Sequence, residues 1–377
     1  MSKSKFKSNA QSYIMIMALI VITVIFSILT KGVFVSARNI SMLARQTTVT
    51  GIIAVAMMFI IVAGHIDLSI GAVLGCCGTV AGVLQVWFGF GTVPTIICTL
   101  IVGVIIGIWN GYWVAYRCVP AFIATLGTQL IAQGIKLGVG KGMAIAPMSS
   151  SFSFIGQGYL SKGISWAVTA VASVLILVFM MKNRSEKQRY GIGQKPFAAE
   201  LASKLAAIVL LCIVTFLLNM YQGIPVPVII LAVLTVLFNF VANKTTYGRN
   251  VYAIGGNTEA ANLAGVKMKL ITMKIFIIGG ILAACAGIVL TARLNSATAA
   301  AGDGMELDAI ASCVLGGVSM SGGTGKISGV IIGALIMVAL DNGMSIINLE
   351  SFWQYIIKGL VLIVAVCVDM GLNEKKA

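Results

Sequence analysis

Apolar runs long enough to cross a membrane recur along the chain, separated by short polar or glycine-rich breaks, and this alternation predicts a series of transmembrane helices. The runs fall near 13–29, 46–64, 68–88, 93–115, 121–139, 164–181, 204–220, 226–242, 271–292, 309–343 and 352–370. Each is near the ~20 residues that span hydrocarbon, except 309–343, which is too long for one crossing. Ser321-Gly322-Gly323-Thr324-Gly325 interrupts it, so it reads as two shorter helices around a glycine turn. Ten or eleven crossings are expected, some broken or half-length, in one transmembrane domain over 1–377. The runs are continuous apolar blocks, not alternating segments of about 10 residues, which excludes a β-barrel.

Composition agrees: 59% of residues are hydrophobic, 10% are charged and mean hydropathy is +1.02. So few charges could not cover the surface of a soluble domain, and the fold class is an all-α polytopic membrane protein. Lys3, Lys5 and Lys7 precede the first run, which is followed by Thr30-Lys31-Gly32 without a small-x-small cleavage site. It reads as an uncleaved first helix with its start in the cytoplasm. Alternation then assigns to the cytoplasm an N-terminal tail (1–12), a basic loop (182–203), a polar loop (243–270) and a C-terminal tail (371–377). Of the 26 Lys and Arg, 18 fall on that side, including Arg117, Lys182, Arg184, Lys187, Arg189, Lys195, Lys326, Lys375 and Lys376. This bias follows the positive-inside rule and explains the net charge of +15 by anionic lipid headgroups, with no nucleic acid.

Glycines at four-residue spacing form ladders at Gly103, Gly107 and Gly111 and at Gly325, Gly329 and Gly333, with Gly71 and Gly75 starting a third. Such ladders let helix backbones approach closely, either in static packing or in sliding contacts. Polar residues inside the apolar runs are few. Asp67 precedes a new helix that it is placed to cap, with Ser69 in the first turn; a broken helix here could also expose both to a central pathway. Asn110, Gln129, Gln133 and Asn219 are further single polar residues suited to a hydroxyl-rich solute. Asp341 and Asn342 read as the end of a helix before an outward loop, 344–350. Asp303, Glu306 and Asp308 gather in another outward loop with Arg293 and Asn295, which reads either as a docking rim for a soluble partner or as an ordinary solvated loop.

The polar stretch 247–266 predicts a short helix between apolar segments. Asn257 is its N-cap, Glu259 lies in the first turn where the dipole favours negative charge, and Gly265 serves as C′. Ala260, Ala261, Leu263 and Ala264 form a small-residue face that fits a groove on a soluble partner; the competing reading is a plain connector.

Other chemistries find no support in the sequence. Gly322–Ser328 resembles a phosphate-binding loop, but that motif needs Gly at 320, which is Met, and Ser or Thr at 327, which is Ile. Any ATP energy must therefore come from another polypeptide. The eight cysteines show no C-x-x-C or zinc spacing, and the single histidine, His65, makes neither a metal site nor a relay. No catalytic set, metal site or cofactor site is expected.

Five motifs spread over nearly the whole chain: AGHIDLSIGA (63–72), VPAFIATLGT (119–128), YGRNVYAIGGNTEAANLAGV (247–266), LDAIASCVLGGVSMSGGTGKISG (307–329) and ALDNGMSIINLESFWQYIIKG (339–359). In these the chain resembles the membrane permeases of bacterial ABC-type monosaccharide importers, the group containing the ribose, galactoside and D-xylose permeases. The extra basic segment 181–204 and the last of these motifs look most like the D-xylose branch. The resemblance implies a permease in the bacterial cell membrane that imports D-xylose or a related pentose. It further implies a homodimeric pathway, a separate cytoplasmic ATPase and an extracytoplasmic sugar-binding protein. It makes Gly256, Asn257, Glu259, Ala260, Ala261, Leu263 and Gly265 the helix that couples to the ATPase. An ion-driven transporter, a passive channel and a membrane enzyme are the rival classes. The first would show ionisable residues buried together, and here only Asp67 and Asp341 qualify.

Overall fold

The computed structural model of the chain describes residues 2–191 and 196–374, with side chains for 15–191 and 196–367. Lys195, Lys375 and Lys376, and the side chains of Lys3, Lys5 and Lys7, lie outside the described residues. The described residues form fifteen α-helices: α1 (Ser2–Leu29), α2 (Ala37–Val62), α3 (Ile70–Gly82), α4 (Thr92–Ala115), α5 (Ala121–Gly140), α6 (Ser150–Gln157), α7 (Lys162–Arg189), α8 (Phe197–Asn219), α9 (Val226–Lys244), α10 (Thr246–Gly256), α11 (Thr258–Leu263), α12 (Met268–Leu294), α13 (Met305–Leu315), α14 (Ile327–Ile346) and α15 (Ser351–Glu374). A π-helical stretch, Val83–Trp87, continues α3. Nine spans among the described residues are long and apolar enough to cross a membrane, and Met15–Leu29 and Ser351–Cys367 are shorter apolar helices. The molecule is an all-α polytopic membrane protein.

The helices sort into an inner and an outer set. The most apolar window of α2 is 89% buried, because Ile52–Ala63 is apolar on every side and every side meets protein. The α3, α12 and α14 helices join it in the centre, whereas α4, α5, α7, α8 and α9 turn most of their apolar surface outward, α8 being only 11% buried. That outward surface is lipid-facing, since an apolar residue in hydrocarbon needs no burial.

Glycine ladders set the closest contacts. Gly103 and Gly107 of α4 lie against the Gly280 and Phe276 carbonyls of α12, and Gly111 lies against Met273. Gly329 and Gly333 of α14 lie against the Gly316 and Ser312 carbonyls at the end of α13. Gly75 and Gly71 of α3 lie against Ala301, Gly302 and Glu306. These contacts show that the segment after α12 re-enters the bundle. Ala297 sits at Gly82, Ala301 at Gly75 and Gly302 at Gly71, so 297–304 runs back along α3 for about 16 Å at 1.5 Å per residue before α13 begins.

Three placements differ from the sequence reading. Glu306 and Asp308 sit in the first turn of α13, not in an outward loop, because acidic side chains there complement the helix dipole. The α14 helix continues to Ile346, so Asp341 and Asn342 lie within it rather than at its end. Much of the basic segment after 181 is helical, with Lys187 and Arg189 in the last turn of α7 and Arg184 paired to Glu200 of α8 at 3.2 Å. The division of 309–343 around a glycine turn is as expected, with α13 and α14 on either side.

Replacing Gly107 or Gly329 by Leu should reduce the yield of monodisperse protein in detergent several-fold, since a Cβ would meet backbone atoms. Gly134→Leu, where no atom lies within 4 Å of a built Cβ, should elute as wild type. Size-exclusion chromatography distinguishes the three; normal elution of all would show that the ladders are not packing faces.

Candidate functional site

Where α2 ends, Gly64 adopts a left-handed conformation at φ 84, and His65 N–H reaches back to the Ile60 carbonyl at 3.0 Å. The chain then turns around Asp67, whose Oδ1 accepts from Ser69 N at 2.8 Å and from Ser69 Oγ at 2.6 Å. Ser69, not Asp67, therefore occupies the N-cap position of α3, and Asp67 closes the turn before it. Asn110 Nδ2 donates to Ser69 Oγ at 2.9 Å, and Thr128 Oγ1 donates to Asn110 Oδ1 at 2.6 Å. Leu68 N donates to Thr125 Oγ1 at 3.1 Å. Asp67, Ser69, Asn110, Thr125 and Thr128 are all buried. The adjoining cavity, between Asp67, Asn110 and Phe276, measures about 10 Å³, at the lower limit for a single water. This network closes a helix break and leaves no room for a larger solute. His65 borders it, partly buried, with its ring 6.0 Å from that of Phe276.

A second group of polar residues surrounds the start of α13. Gln129 of α5 lies 3.5 Å from Glu306 Oε1, and Glu306 is buried. Lys136 Nζ, also on α5 and buried, donates to Asp303 Oδ1 at 2.7 Å and to the Ala301 carbonyl at 3.1 Å. Across α13, Lys358 Nζ lies 2.8 Å from Asp341 Oδ2 and 3.1 Å from Asp308 Oδ1. Asn342 points elsewhere: its Oδ1 accepts from Asn39 Nδ2 of α2 at 2.8 Å. Of Asp303, Glu306 and Asp308, only Asp303 has a side chain close to half exposed, at 47%. Sequence reasoning missed Lys136, Lys358, Thr125 and Thr128. The available signal was a lysine inside each of two apolar runs, and polar residues on one face of α5.

The α10–α11 unit lies at the other end of the bundle. Thr245 caps α10, its Oγ1 accepting from Gly248 N at 3.1 Å, and Val251 and Ile254 are buried. Gly255 lies against the Val62 carbonyl and Gly323 N; Gly323 N–H donates to Val62 O at 2.8 Å, and Tyr252 Oη donates to Gly325 O at 2.8 Å. The glycines that resembled a phosphate loop are thus occupied in joining α10 to the end of α2. Beyond this anchor, Asn257 Oδ1 accepts from Ala260 N at 2.8 Å, Glu259 lies in the first turn of α11, and Gly265 has φ 78. Gly256, Asn257, Glu259, Ala260 and Gly265 are exposed, and Leu263 is 83% exposed at the tip. Ala261 departs from the expected face: it is buried, because α11 rests that side on the bundle.

A profile of the family described as branched-chain amino acid transport system / permease component matches residues 39–366. The chain is 45% identical to the xylose transport system permease protein of Haemophilus influenzae, over 99% of each chain. It is 43% identical to the xylose transport system permease protein of Escherichia coli, over 97% of this chain and 93% of that one. The ribose import permease protein of Bacillus subtilis is 34% identical over 94% of this chain and 91% of its own. No solved structure matches.

Replacing Asn110 by Leu removes the donor to Ser69 Oγ and the acceptor for Thr128 Oγ1. Leaving such groups unpaired costs about 1–3 kcal/mol. The thermal midpoint of the purified protein in detergent should fall by several degrees; an unchanged midpoint would show that the network does not stabilise the break.

Proposed function

The chain belongs to the family of branched-chain amino acid transport system / permease components, and on that footing we propose that it is the transmembrane subunit of an ATP-driven importer for D-xylose or a related pentose. Two copies form the pathway in the bacterial cell membrane, with the N-terminus and α11 in the cytoplasm. A soluble sugar-binding protein delivers the monosaccharide from outside. A separate cytoplasmic ATPase hydrolyses the nucleotide, and this chain holds none. Full-length similarity to the xylose transport system permease proteins supports the pentose, and the basic segment flanking α7 and α8 supports the orientation.

The observation that carries the coupling role is the mounting of α11. Its tip is exposed and apolar at Leu263, while α10 is locked to the end of α2 and to the turn that leads into α14. A push on α11 therefore reaches two central helices through close backbone contacts rather than through a flexible linker. The ATPase dimer, closing around ATP, supplies that push and biases the pathway between two states. Asp67, Ser69 and Asn110 hold the pathway wall through the closed break, Gln129 faces Glu306 at the start of α13, and Asp341 and Asn342 tie α14 to α15 and α2.

Radiolabelled D-xylose uptake into proteoliposomes tests this reading. Uptake should require the chain, its ATPase, the sugar-binding protein and ATP together. Uptake by the chain alone, driven by a proton or sodium gradient, would favour an ion-coupled transporter instead. Glu259→Lys and Leu263→Asp should each leave the protein inserted while lowering ATP-driven uptake at least tenfold. Wild-type uptake in both would remove α11 from the coupling path.

A further inference from the structure

A cavity of about 230 Å³ lies where α13, α14 and α15 meet, lined in part by Asp303, Asp308, Gln354, Tyr355, Lys358 and Gly359. It is much larger than the about 10 Å³ beside Asp67. Its volume falls below the ~300–1,000 Å³ of pockets for drug-sized ligands, in keeping with a smaller solute.

Its depth sets it apart from a surface cleft. Asp341, which shares Lys358 with Asp308, stands about 21 Å along α14 from Ile327 at the α10 end. That places the cluster within a hydrocarbon layer about 30 Å thick. Ionisable side chains at such depth are costly and face the protein interior or water. Non-helical backbone, as in 297–304, is tolerated there only when buried in protein or lining a watery cavity. Here the re-entrant segment ends at the cavity, and the N-terminus of the half-length α13 opens on it through Gly304 and Leu307.

The lining has the chemistry of a neutral polyol site. Asp303 and Asp308 offer carboxylate oxygens to vicinal hydroxyls, Lys358 and Gln354 carry donors, and Tyr355, 69% exposed, offers an aromatic face to the C–H side of a sugar ring. The acids are already countered by Lys136 and Lys358, so the cavity carries no large excess charge that would select an ion. Resting on the importer reading above, we propose that this cavity is a monosaccharide station on the pathway, with Asp308 and Lys358 engaging sugar hydroxyls and Tyr355 covering one face of the ring. The far end of α13 leads into the turn that contacts α10, so movement of α11 changes the floor of the station.

Gly359 provides the test, because it lines the cavity and a Cβ built there meets no atom within 4 Å. Gly359→Leu fills the space from an unobstructed position on a helix. In proteoliposomes with the ATPase, the binding protein and ATP, it should assemble and lower D-xylose uptake at least tenfold. Wild-type uptake by the assembled variant overturns the station. A second measurement places a thiol at the site with Tyr355→Cys and follows maleimide labelling at residue 355 by mass spectrometry. D-xylose supplied to the working transporter should slow labelling there at least fivefold and leave exposed Cys118 unaffected. Labelling at 355 that ignores the sugar, in a transporter that imports it, overturns the station while leaving the importer reading intact. A wild-type transporter that imports no pentose overturns the importer reading and the station with it.

Discussion

Hydrocarbon offers a backbone amide no partner, and this chain breaks its helices within the bundle at 63–69, 297–304 and 316–326. The rest of the structure serves those breaks. Thr125 receives Leu68 N, Lys136 donates to the Ala301 carbonyl, and Val62 receives Gly323 N. Each solution needs a neighbouring helix close by. That is why α5 carries polar residues on its inner side, and why α3 has Gly71 and Gly75 where the re-entrant segment passes. A helix without breaks would need none of these residues.

The breaks also create parts that can move. The α13 helix is bounded by a break at each end and packs on α14 through glycines at Gly316, Gly329 and Gly333. Such contacts resist separation but present few side chains to obstruct sliding. At one end of α13 lie Asp308 and Lys358; at the other lies the turn that holds α10. On the proposed reading, this short rigid helix between two discontinuities, about 16 Å long, carries an event at α11 to Asp308 and Lys358 without appeal to a diffuse pathway.

How much of this was legible depended on whether the cause was local. Run length and composition located most of the helices. The glycine turn divided 309–343, and Asn257 and Gly265 marked the ends of α11, because capping is decided by neighbours along the chain. The re-entrant segment was not legible. Ser296-Ala297-Thr298-Ala299-Ala300-Ala301-Gly302-Asp303-Gly304 has the composition of an outward loop, and only its packing on α3 draws it inside. Once that segment was read as external, Glu306 and Asp308 were read as external too. The partners of the acids lie far off in sequence, on α5 and α15, so no local spacing joined them. Ala261 faces inward for a similar reason, since the surface on which α11 rests is built by other parts of the chain.

The clustered charges bear on the choice between an ATP-driven importer and an ion-coupled transporter. The sequence reading counted two membrane-embedded acids, whereas the structure gathers Asp303, Glu306, Asp308 and Asp341 with Lys136 and Lys358. Counting alone would now favour ion coupling. Pairing argues the other way. A carboxylate that drives transport must take up and release a cation, and one already held by lysine has lost much of its advantage in binding another. Asp308 and Asp341 share a single ammonium, and Asp303 has its own, so these three acids have fixed positive partners. Glu306 instead faces the Gln129 amide and the backbone of α3, in a setting that favours a structural bond over ion exchange. Acids held by fixed lysines suit a wall that hydrogen-bonds a neutral solute and draws its energy from elsewhere. On the proposed reading, the exposed, capped α11 is the place where that energy enters.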